Sequence, residues 1–186
     1  MKKQALMILA EGFEDVEAIA SIDVLTRAGV EVKVASLTPG SVQAAYGTTI
    51  VPNLTISEVK ELYDAIIFPG GRRNAQSLAA NARVIELARQ HYQAGKLVAA
   101  ICAAPSHVLG EAAGLLKGKR SSGDPAFNDK LSASGAILTD ELVTVDGNII
   151  TGMGPGAALP FALQLAEYLV GKEVADGFAV KWRIAR

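Results

Sequence analysis

A single cysteine, Cys102, occurs in the stretch KLVAAICAAPSHVLG, directly after the apolar run LVAAI and directly before a helix-like segment. A thiol at such a strand-to-helix turn is a candidate nucleophile. The free N–H groups and the positive end of the following helix favour thiolate, and the small neighbours Ala99, Ala100, Ala103 and Ala104 permit a tight turn. A preset nucleophile there is expected to have strained backbone, with φ above zero, and a pKa well below the free-cysteine reference of about 8.5. The plainer alternative is a small buried hydrophobe, since free cysteine is among the most buried residue types.

Other stretches could supply the rest of a reaction. EGFEDVE places Glu14, Asp15 and Glu17 at a helix start, where acids either complement the helix dipole or, if one points inward, shuttle protons. The apolar periodicity turns Val16 inward, so helical phase alone leaves the direction of Glu17 open. Two glycines in PGG, Pro69 to Gly71, make either an ordinary turn or a flexible backbone whose N–H serves an oxyanion. The following Arg72 and Arg73 are either a solvated pair or an anion contact. GMGPG, Gly152 to Gly156, superficially resembles a dinucleotide loop, but Pro155 intervenes and the G-x-G-x-x-G spacing is not met. The two histidines, His91 at a surface-like helix end and His107 five residues past the cysteine, form no metal-ligand cluster with Cys102 and read as structural.

These stretches need a scaffold to bring them together. QALMILA, AIIF (65–68) and LVAAI (97–101) are continuous apolar runs, as in strands covered on both faces, and VEVKVAS (30–36) alternates apolar and charged residues. Between them lie helix signals. Residues 15–28 place Val16, Ile19, Ala20 and Val24 near one face and stop at Gly29. Ser57 is a plausible N-cap for SEVKEL. Residues 82–94 close on Gly95 and 157–170 on Gly171. VTVDGNIIT predicts a hairpin with Asp146-Gly147 as its turn. Strands alternating with helices imply right-handed βαβ units and a mostly parallel sheet sandwiched by helices, with ligands bound beyond the carboxyl ends of the strands. EGFEDVE, PGGRRN, CAAP and GMGPG all follow such strands.

The 186 residues fit one domain, and half of them are hydrophobic, enough for a core without metal or disulfide staples. A net charge of -1 with no basic stripe argues against nucleic acid. The opening apolar run ends at Glu11, too short for a signal sequence, and no run approaches the roughly 18 residues of a membrane span. The expectation is a soluble cytoplasmic protein.

ALMILAEGFEDVEA, DVLTRAGVEVKVAS, YDAIIFPGG, AAICAAP, GPG and LVGKEVA occur in this order. Over nearly the whole chain they resemble the ThiJ/PfpI superfamily, most of all the branch that contains the Parkinson disease protein 7, the parkinsonism-associated deglycase. That resemblance implies a single flavodoxin-like domain over 1–186, a three-layer sandwich with a small β-hairpin, usually as a homodimer and without cofactor or metal. It marks Cys102 as the reactive cysteine and Glu17 as the carboxyl that hydrogen-bonds it. Gly71 and Ala103 match positions whose backbone N–H groups face the site, and Gly70, Arg27 and Asp124 are candidate substrate or anion contacts. The chain also departs from the family. Where many members have a histidine, SSGDP has Asp124; an arginine of several relatives falls near Tyr46. Ala103 follows the cysteine where the protease-like branch has histidine. With no histidine beyond His107, a glutamine-amidotransferase triad is excluded.

The resemblance implies a cysteine-dependent stress-response protein acting on reactive dicarbonyls, glyoxalase- or deglycase-like. It would turn methylglyoxal into lactate through a hemithioacetal on Cys102. The alternative is a non-catalytic redox sensor or chaperone whose Cys102 is oxidised to sulfinate. The same residues serve both.

Overall fold

The computed structural model describes residues 2–184. Its strands are β1 (Gln4–Leu9), β2 (Glu31–Ser36), β3 (Val42–Gln43), β4 (Thr49–Ile50), β5 (Leu54–Thr55), β6 (Ala65–Phe68), β7 (Leu97–Ile101), β8 (Arg120–Ser121), β9 (Ile137–Leu138), β10 (Val143–Asp146) and β11 (Ile149–Gly152). Its α-helices are α1 (Asp15–Arg27), α2 (Arg72–Ala79), α3 (Ala82–Gln93), α4 (Asn128–Ala133), α5 (Ala158–Val170) and α6 (Lys172–Trp182), and residues Pro105–Ala112 form a π-helix. Seven strands make one sheet in the order β10-β11-β7-β6-β1-β2-β5, parallel except for the β10–β11 hairpin. This is the mostly parallel α/β sandwich that the alternation of strands and helices implied, in the flavodoxin-like form that the family resemblance implied.

The apolar runs are buried on both faces because alternate side chains feed two cores. Met7, Leu9, Ile67 and Ile101 pack with Leu25 of α1, Phe161 of α5 and Ala175 of α6. Leu6, Ile8, Ile66 and Phe68 pack with Leu78 of α2, Leu87 of α3 and Val108 and Leu109 of the π-helix. Each such leucine or phenylalanine contributes about 1.5–3 kcal/mol by leaving water, so the strand ends carrying the candidate residues sit on a rigid base.

Some local expectations are corrected. The buried face of α1 is Glu17, Ala18, Ser21, Val24 and Leu25, whereas Val16 is 52% and Ile19 43% exposed. Periodicity finds an apolar stripe but does not say what covers it. Ser57 caps no helix: only a 3₁₀ turn, Ile56–Glu58, forms there, opened by Thr55, whose N–H and hydroxyl both donate to the Glu58 carboxylate. The hairpin loop is Gly147-Asn148, one residue later than expected, because Asp146 still pairs with Ile149. α2, short and mostly polar, and α6, which starts after Gly171 with no side-chain cap, have no counterpart in the local sequence pattern. No helix among the described residues is long and apolar enough to cross a membrane.

Candidate active site

Cys102 adopts φ +64, the left-handed region expected of a preset nucleophile and one that costs a non-glycine residue roughly 1–2 kcal/mol. The surroundings hold it there. Its N–H donates to the Gly152 carbonyl at 2.9 Å, and its own carbonyl accepts from the Asp124 N–H at 2.9 Å. The end of β11 and the segment before α4 therefore both pin this one residue.

The three acids of EGFEDVE separate into three tasks. Glu14 caps α1 by accepting the Glu17 N–H at 2.8 Å. Asp15 accepts the N–H groups of Tyr46 and Thr48, each at 2.9 Å, and so ties down the β3–β4 hairpin. Glu17 alone turns inward and is fully buried. Its Oε2 accepts the Gly70 N–H at 2.7 Å, while its Oε1 is buried without a hydrogen-bond partner among the described residues. Gly70 was a candidate substrate contact; its N–H is instead spent on holding Glu17.

Gly70 must lack a side chain. A Cβ there would stand 2.5 Å from the Cys102 Cβ, 2.6 Å from Glu17 Oε2 and 3.0 Å from Cys102 Sγ. The sulfur and the carboxyl thus crowd the same Cα. Gly70→Ala is expected to destabilise the fold by about 1–3 kcal/mol, the usual range for overpacking, and to disturb both groups together. Thermal unfolding alongside the rate of Cys102 alkylation checks this; an alanine variant unchanged in both would show the crowding to be unimportant. Gly71, at φ +84, would drive a Cβ into the Gly12 carbonyl. Its N–H hydrogen-bonds Cys102 and favours the thiolate. It is the donor placed to meet an oxyanion.

Electrostatics reverse one expectation. Burial, then the Glu17 carboxylate, push the Cys102 thiol up to about 12, against the opposing Gly71 N–H. Burial likewise raises Glu17 to about 7, opposed by the Gly70 N–H and assisted by the charge of Glu14. Helix-end donors do not compensate for removing the thiolate from water beside carboxylates. Below about pH 7 the pair holds both protons, and above it carries one negative charge, with the thiol still protonated at rest. Besides its hydrogen bond with the Glu17 carboxyl, the thiol makes a long contact of 3.9 Å to Asp124 Oδ2. Asp124 Oδ1 accepts the Ala126 N–H at 2.9 Å, which fixes the carboxylate beside the sulfur where the family pattern suggested a histidine.

Arg27 does not join the site. It pairs with Asp23 at 2.8 Å and lies over the Trp182 ring at the far end of α1. His91 is fully buried rather than at the surface: its Nε2 accepts the Tyr63 N–H and its Nδ1 lies 2.7 Å from the Leu87 carbonyl. His107 is also buried, with Nδ1 2.9 Å from the Ala103 carbonyl and its ring edge-on to Phe127 at 4.7 Å. Ala103, buried beside the sulfur, lines the same cleft as Cys102, Gly71 and Asp124, whose volume is about 590 Å³. No group of three or more metal-ligating side chains occurs among the described residues. GMGPG builds the wall opposite, with Gly154 near the sulfur and Pro155 opening a 3₁₀ turn into α5.

A strained cysteine at a strand-to-helix turn, beside a buried carboxyl on a mostly parallel sheet, defines a nucleophile-elbow α/β sandwich. The chain belongs to the DJ-1/PfpI family, whose model matches residues 3–168. It is 39% identical to protein dj-1beta of Drosophila melanogaster over 98% of this chain and all of that one. It is 37% identical to the Parkinson disease protein 7 homolog of Danio rerio, over 93% of each, and 36% identical to the glutathione-independent glyoxalase DJR-1.2 of Caenorhabditis elegans, over 92% of this chain and 91% of that one. The crystal structure of Drosophila melanogaster DJ-1beta superposes with a TM-score of 0.93 at 38% identity, covering all of both chains.

Proposed function

We propose that the protein is a cofactor-independent glyoxalase acting on small α-dicarbonyls, with Cys102 as nucleophile and Glu17 as proton shuttle. The observation that carries this reading is the pairing of a strained Cys102 with a buried Glu17 whose Oε1 has no partner. With methylglyoxal, Cys102 Sγ adds to the aldehyde carbon while its proton passes to the Glu17 carboxylate. The resulting oxyanion is met by the Gly71 N–H and then protonated to a hemithioacetal. Glu17 removes the proton from C1 and returns it to C2 while the hydroxyl proton passes from O1 to O2, which converts the adduct into a lactate thioester. Water cleaves the thioester, releasing lactate and restoring the thiol. The carbon skeleton is oxidised at C1 and reduced at C2, so no external oxidant is needed. A base near 7 is well matched to proton abstraction at neutral pH. Purified protein incubated with methylglyoxal should form lactate without glutathione; no lactate would remove the reading. The C. elegans relative is named as such a glyoxalase.

The redox-sensor reading draws on the same unpartnered Oε1, which, protonated, could donate to a sulfinate oxygen. The raised thiol bears on both readings alike, because peroxide oxidation and addition to a carbonyl both proceed through thiolate. Peroxide titration of Cys102 separates the two: stoichiometric sulfinate at low peroxide with no dicarbonyl turnover would favour the sensor.

The proposed assembly is a homodimer through the exposed apolar face of α1. Val16, Ile19 and Leu159 line a shallow depression of about 430 Å³ that the fold itself leaves uncovered, and an exposed apolar patch of this kind suits a two-fold interface. Sedimentation should show a dimer at micromolar concentration and Ile19→Glu a monomer; a wild-type monomer would exclude it.

A further inference from the structure

The cleft beside Cys102 is larger than methylglyoxal requires. Its volume of about 590 Å³ falls among sites of roughly 300–1,000 Å³ that enclose whole metabolites or drug-sized ligands. Three acids and two arginines line it, and they differ in what they already hold. The acids lining it are engaged: Glu11 accepts the Gln43 N–H, Glu14 the Glu17 N–H, and Asp124 the Ala126 N–H with its second oxygen toward the sulfur. The two arginines lining it are not. Neither Arg72 nor Arg73 has an ion pair or hydrogen bond among the described residues, whereas Arg27, Arg83 and Arg120 all pair with carboxylates.

Both arginines are nonetheless held in place. The Arg72 guanidinium lies over the Phe127 ring, 5.2 Å from its centroid. Phe127 in turn meets the edge of buried His107, which is anchored to the carbonyl of Ala103, the residue after the cysteine. This aromatic shelf ties the guanidinium's position to that of the thiol. A guanidinium held over an aromatic ring by its charge leaves N–H groups available, the groups that recognise carboxylate or phosphate in a bidentate fork. The Arg73 stem packs against Gly12 on the neighbouring loop.

We infer that the preferred substrate is an anionic aldehyde or α-dicarbonyl whose phosphate or carboxylate is bound by Arg72, assisted by Arg73, while its carbonyl end reaches Cys102. This rests on the reading of Cys102 as the nucleophile. The bound anion makes the same contacts before and during the reaction, so its loss falls mainly on KM.

Two measurements test it. In the first, the protein is alkylated at Cys102 by iodoacetamide with and without inorganic phosphate or acetate at millimolar concentration. Phosphate, acetate or both should slow alkylation several-fold, and Arg72→Gln, alone or with Arg73→Gln, should bring the ratio of protected to unprotected rates close to one. In the second, methylglyoxal is compared with its phosphorylated analogue, hydroxypyruvaldehyde phosphate, and with its carboxylate analogue, 4,5-dioxovalerate. The wild type should prefer one of the anionic substrates, which also tells phosphate from carboxylate. Arg72→Gln should lower that preference at least tenfold, through KM. Equal losses on neutral and anionic substrates, or no protection by either anion, would overturn the inference. Protection that depends on Arg72, in a protein that turns over no dicarbonyl, would sustain the anion site and remove the glyoxalase reading instead.

Discussion

Glutamine at position 17 is expected to lower methylglyoxal turnover by about 10²–10⁴-fold, the usual contribution of a positioned acid–base group, while leaving the thiol in place. In the wild type kcat/KM should rise with pH through about 7, as Glu17 ionises and becomes able to accept the thiol proton. Glu17→Gln should lose that limb. It should also let Cys102 form thiolate at lower pH than in the wild type, because the carboxylate that pushes the thiol up is gone. Thiolate absorbance against pH reads this directly. Stability carries the same signature. The folded carboxyl keeps its proton to about pH 7, whereas an unperturbed one releases it near 4.5. The folded state therefore binds the extra proton between these values, and its stability is greatest below about 4.5 and falls as pH rises through 7, by about 3 kcal/mol in all. Denaturant midpoints at pH 5 and pH 8 should differ more for the wild type than for Glu17→Gln. Equal pH dependence in the two proteins would mean that Glu17 is not the perturbed group.

Removing the sulfur should abolish dicarbonyl turnover, yet the two smallest replacements should differ in stability in an unusual direction. Alanine normally exceeds glycine by about 0.5–1 kcal/mol, because glycine loses more chain entropy on folding. At position 102 the backbone sits at φ +64, which glycine adopts freely and alanine does not. Cys102→Gly is therefore expected to be the more stable of the two by about 1 kcal/mol, with both inactive. Thermal unfolding of the pair, next to lactate production, checks each half. Full turnover in Cys102→Ala would return Cys102 to the plain role of a small core residue. Greater stability of alanine than glycine would mean that the elbow is not held under strain.

The cysteine, the apolar strand before it, the acidic segment and the glycine pair could all be read from the chain, because each is a local pattern: a run, a period or a turn residue. The layered α/β architecture follows from the same patterns, since apolar runs covered on both faces leave few alternatives. Which of three neighbouring acids faces the thiol could not be read that way. Glu17 is one residue from Val16, and the assignment waits on α1 burying Glu17, Ala18, Ser21, Val24 and Leu25 while Val16 and Ile19 face out. Periodicity records that a stripe exists; whether this chain's core or another molecule covers it depends on how α1 lies against α5. The sign of the thiol shift is beyond local pattern for a related reason, since it turns on burial and on whether Glu17 is charged. A helix N-terminus is a local feature, but the burial and the carboxylates that outweigh it come from distant segments, Glu17 lying 85 residues before Cys102 and Asp124 22 after it, and meet the thiol through folding alone. The shelf formed by Arg72, Phe127 and His107 likewise joins three segments with no sequence pattern in common. Local periodicity determines which residues can form strands, turns and helices; only the packing of distant segments decides burial, charge neighbours and the open side of the cleft, because those quantities are properties of the surrounding volume and not of the chain's own period.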